Sequence, residues 1–90
     1  MSIMGDTRDY IEAIESLIFE QHLNKENKKV ARVLLHVQTT KEVLQYNDNP
    51  RVLNRWFLVM RSDYDKLCTI VFENLKKQQA MVEARRLPDV

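Results

Sequence analysis

Apolar residues return along this chain in helical rhythm. Tyr10, Ile11, Ile14, Leu17 and Ile18 recur at three- and four-residue spacing, with His22 closing the series. That spacing lines one face of an α-helix. Asp6 or Thr7 can cap its opening turn, and Asp9 and Glu12 suit the positive end of its dipole. The pattern predicts a first helix over about 6–23. Asn24 to Asn27 then interrupts it with side chains that compete for backbone hydrogen bonds.

A second apolar face follows in Val30, Val33, Leu34, Val37 and Leu44. It predicts a helix over 27–46, weakened in the middle by the β-branched Thr39 and Thr40. Asn47-Asp48-Asn49-Pro50 is the clearest punctuation in the chain. Pro50 has no amide hydrogen and a fixed φ, so it fits the first position of a helix capped by Asn49. Nothing after it forbids helix until Pro88, and the predicted third helix covers 50–86. The ends, 1–5 and 87–90, are expected to be loose.

The three lengths do not match. The third helix would run about 55 Å and each of the first two about half that. Two short helices can cover Val52, Leu53, Trp56, Phe57, Val59 and Met60, but not also Leu67, Ile70, Val71, Phe72, Leu75, Met81 and Val82. Each such side chain is worth about 1.5–3 kcal/mol when buried, so the far half calls for a cover. The expected fold is therefore all-α, a single domain over 1–90. A helical hairpin packs on a long third helix, and the bundle is completed by homodimerisation. Leu67, Ile70, Val71, Phe72, Leu75 and Val82 form the expected interface. The alternative is a monomeric four-helix bundle with a break near Ser62, where an acid three residues on imitates a capping box.

Composition agrees with a small helical protein. Of the 90 residues 44% are hydrophobic and 30% charged, too apolar for a disordered chain. One glycine and two prolines leave little for hairpin turns. A single cysteine excludes an internal disulfide and favours a reducing compartment, so a cytoplasmic setting is expected. No signal peptide is evident, and the longest apolar run, Trp56 to Met60, is far too short to span a membrane.

The net charge of +1 conceals a division. Residues 1–24 carry five acids against Arg8, whereas residues 25–55 carry seven bases against three acids. Antiparallel neighbours of this kind neutralise one another, or the basic segment meets an acidic partner. On a helical projection Arg51, Arg55 and Lys66 share one side of the third helix, and Lys28, Lys29 and Arg32 can extend that surface from the second. These six are the candidate contacts for a nucleic-acid duplex recognised through its phosphates.

Catalytic chemistry finds little support. His22 and His36 have no metal-ligand spacing, so no metal site and no cofactor are expected. His36 lies among Val33, Leu34, Leu35 and Val37 and is expected to be a partly buried structural imidazole. Cys68, between Leu67 and Ile70, is expected to be an inert core thiol. The expected function is that of a non-enzymatic regulatory or interaction module. Its partner would be its own copy or another helical protein, with duplex RNA or DNA binding as the alternative and no membrane role.

Overall fold

Ser2, not Asp6 or Thr7, opens the first helix. In a computed structural model, which describes residues 2–86, the chain forms α1 (Ile3–Glu20), α2 (Lys28–Tyr46) and α3 (Pro50–Arg86). The Ser2 hydroxyl accepts from the Gly5 amide at 3.4 Å. Ile3 and Met4 then extend the apolar face by a turn and pack against the core, so 3–5 are helical where a loose segment was expected. Thr7 is fully buried, and its hydroxyl donates to the Ile3 carbonyl at 2.6 Å instead of capping. Met1 and the expected loose tail, 87–90, lie outside the described residues.

α1 ends three residues before the expected point. The Leu23 amide reaches the Ile18 carbonyl and the His22 amide the Phe19 carbonyl, the bond pair of a Schellman stop. The motif needs a left-handed residue, and His22 supplies it at φ 50°. His22 is thus an exposed stop and not the last member of the apolar face, while Leu23 folds back and is buried. Asn27 caps α2 by accepting from the Lys29 and Val30 amides at 2.9 and 3.4 Å. Thr39 and Thr40 do not interrupt α2, because their hydroxyls bond back to the Leu35 and His36 carbonyls. Asn47 and Asn49 shape the next turn by accepting from the Asn49 and Arg51 amides, each at 2.9 Å.

α3 is unbroken through Ser62-Asp63-Tyr64-Asp65 across its 37 residues. α1 and α2, joined by the turn at 21–27, form an open hairpin whose helices each pack more extensively on α3 than on one another. Ile11, Ile14 and Ile18 from α1 and Val30, Val33, Val37 and Leu44 from α2 bury with Leu53, Met60 and Leu67 of α3. The Tyr10 ring meets Phe57 and Tyr64 edge-on, with centroids 5.7 and 5.9 Å away. Lys41 and Glu15 link the short helices at 2.8 Å, an exposed pair of small energetic weight.

The result is a rod. Its extents are 65 × 27 × 17 Å and its radius of gyration 17.1 Å, against about 12 Å for a globular chain of this length. The excess comes from α3, which outruns the hairpin. No helix among the described residues is long and apolar enough to cross a membrane.

Candidate functional site

The part of α3 beyond the hairpin is the first candidate surface. Every residue from Phe72 to Glu83 is exposed. Phe72 is 58% accessible, Leu75 52% and Val82 47%, and Met81 is similarly open. Ile70 and Val71 are half-buried where the hairpin ends. Leu67 does not belong to this surface. It is fully buried, because the hairpin covers about two turns more of α3 than the length argument allowed.

Val71, Leu75, Gln78 and Val82 are spaced four, three and four residues apart. That is the rhythm of a helix seam built to receive a second helix. The same rhythm read backwards passes through Cys68 and Tyr64. The exposed seam therefore continues the line on which Tyr64 meets α1. Lys76 leans over the Phe72 ring at 4.7 Å, a contact that shelters one face of it.

The second candidate lies between α2 and α3. Lys28, Lys29 and Arg32 from the start of α2 and Lys66 from α3 line one groove of about 330 Å³. Val33 and Ile70 supply its apolar wall, and Asp63, Thr69 and Glu73 complete it. Four of the six expected nucleic-acid contacts thus converge. Arg51 and Arg55 do not line it, since they sit roughly 23 and 17 Å along the helix from Lys66. All six side chains are exposed.

Beneath the groove Asp63 is only 2% accessible. Its Oδ2 accepts a hydrogen bond from His36 Nδ1 at 2.8 Å, and Lys66 Nζ stands 4.0 Å from Oδ1. With the imidazole proton on Nδ1 the ring donates to this carboxyl oxygen. Trp56 packs edge-on to that ring at 6.4 Å. The pair resembles the base and orienting acid of a catalytic set. Ser62 shares the adjoining hollow, but it makes no hydrogen bond to the ring, and helix-interior amides are already committed to their own ladder. The hydrogen bond ties α2 to α3. Among the described residues no group of three His, Cys, Asp or Glu side chains is placed to hold a metal ion.

Cys68 is exposed and not in the core. Residue 67 points inward, and one step of about 100° carries 68 off that side. Its thiol sits beside Tyr64, whose hydroxyl is raised above its ordinary value. The main cause is the charge of the neighbouring thiolate, followed by a hydrogen bond with that thiol, burial, and the nearby Asp65 and Tyr10. Comparison with protein-family models, with curated proteins and with solved structures finds no match.

Proposed function

We propose that this chain is a non-enzymatic interaction module that forms a homodimer through the far part of α3 and acts by presenting or sequestering that helical surface. One observation carries the proposal: Phe72, Leu75, Met81 and Val82 lie exposed along the helix past the end of the hairpin, continuing from the half-buried Val71. No other described helix covers them, since α2 begins beside Ile70 and every residue of α3 from Phe72 to Glu83 is exposed.

A second copy suits this surface better than a strongly charged partner. Glu73 and Glu83 balance Lys76 and Lys77 along the exposed stretch, so two copies do not repel. Gln78 in the seam would fix their register at some cost in stability, as a lone polar residue does between paired helices. The single exposed cysteine supports a cytoplasmic setting, where such a thiol stays reduced.

The test is a double substitution, Phe72→Asp with Leu75→Asp. Both side chains are mostly exposed in the single chain, so helical content by circular dichroism should persist while the mass by light scattering halves. Retained helix with unchanged mass would refute the proposal. Phe72→Gln with Leu75→Gln repeats the test with milder changes.

A further inference from the structure

The first turn of α2 contradicts the ordinary electrostatics of a helix. It contains no acid, and Lys28 and Lys29 stand where the dipole presents positive charge. Such bases are unfavourable for the helix itself. Neither they nor Arg32 has a carboxylate within ion-pair distance among the described residues. Folding gathers these three cations with Lys66 on one groove, although Arg32 and Lys66 lie thirty-four positions apart in the chain. The charge of Asp63 is enclosed beneath, between His36 and Lys66.

We propose that this groove binds the phosphate backbone of a nucleic-acid duplex. Phosphate is the ligand chemistry because lysine and arginine side chains neutralise it as mobile or forked donors. Thr69 adds a hydroxyl to the lining. A duplex fits better than a single strand, because the groove has no aromatic side chain on which an unpaired base can stack. Recognition is then by backbone position and not by sequence. Arg51 and Arg55, on the same side of α3, provide a second contact point toward the other end of the rod.

The groove belongs wholly to one chain, so this binding does not depend on self-association. A dimer would present two such grooves and strengthen the grip through linked sites. Glu73 is the exposed carboxylate of the lining, and it opposes the ligand.

Gel shift and fluorescence anisotropy test the proposal with a duplex RNA of about 20 base pairs, a DNA duplex of the same sequence, the single strands, and polyglutamate. The purified chain should bind a duplex at low salt. Its log affinity should fall against log salt with a slope of about −3 to −4, near −0.9 for each phosphate contacted. Lys28→Ala with Lys29→Ala and Arg32→Ala should weaken binding by at least about tenfold and flatten the slope by about three. Glu73→Gln should tighten it, and Arg8→Ala, on the remote acidic helix, should leave it unchanged. The Phe72→Asp, Leu75→Asp variant should still bind duplex, so failure of the dimer and failure of the groove give different results. Absence of binding at low salt overturns the proposal, as does equal binding by the triple variant. Preference for single strands overturns it too, and polyglutamate bound as tightly as duplex would make the groove a site for an acidic protein.

Discussion

His36 and Asp63 meet at 2.8 Å across the seam of α2 and α3, in the one side-chain hydrogen bond that joins those helices among the described residues. The acid is almost entirely enclosed and the imidazole about a third exposed. A buried carboxylate without a donor carries a full desolvation penalty. Lys66 at 4.0 Å offsets only part of it. His36→Ala should therefore cost about 1–3 kcal/mol in urea unfolding. A loss below about 0.5 kcal/mol, the range of an ordinary surface substitution, would show that solvent already satisfies Asp63.

Much of this fold is legible in the sequence because its punctuation is local. Asn27 and Asn49-Pro50 set the openings of α2 and α3 through side-chain chemistry within three residues. The length of α3 follows from the absence of a breaker before Pro88. The beginning of α1 is not legible in the same way. Asp6 and Thr7 satisfy the capping rule as well as Ser2 does, and only packing of Ile3 and Met4 decides between them.

Asp63 is the residue whose role sequence reading missed. It sits three residues after Met60 and four before Leu67, both fully buried, and so falls on the apolar seam by the same count that identified the core. A polar residue in that register was the available signal. Its partner, His36, is 27 positions away, a pairing that periodicity cannot supply. Cys68 shows the opposite error, since sequence neighbours on a helix do not share its face.

The stop of α1 yields a second prediction. His22 holds a left-handed conformation at φ 50°, which costs an L-residue roughly 1–2 kcal/mol and glycine very little. The side chain is exposed, so removing it sacrifices little packing. His22→Gly should raise unfolding stability by about 0.5–1 kcal/mol after the greater entropy of unfolded glycine is counted. A destabilised variant would mean that the imidazole makes a contribution beyond its backbone geometry.

Tyr64 and Cys68 can be followed optically. The tyrosine hydroxyl is raised from its ordinary value of 10.0, mainly because a thiolate beside it disfavours a second negative charge. In an alkaline absorbance titration Tyr64, isolated by subtracting a Tyr64→Phe variant, should ionise later than a free tyrosine. Cys68→Ala should move it earlier, since both the charge and the hydrogen bond disappear. An unchanged midpoint would place the cause elsewhere than the thiol.

The most direct test of self-association is sedimentation equilibrium on the unaltered chain under reducing conditions, over a range of concentrations. The chain weighs 10.7 kDa. A second copy seated along Val71, Leu75 and Val82 requires a species of twice that mass which dissociates to the single chain on dilution. A mass of 10.7 kDa at every concentration, with helical content intact, would contradict the homodimer.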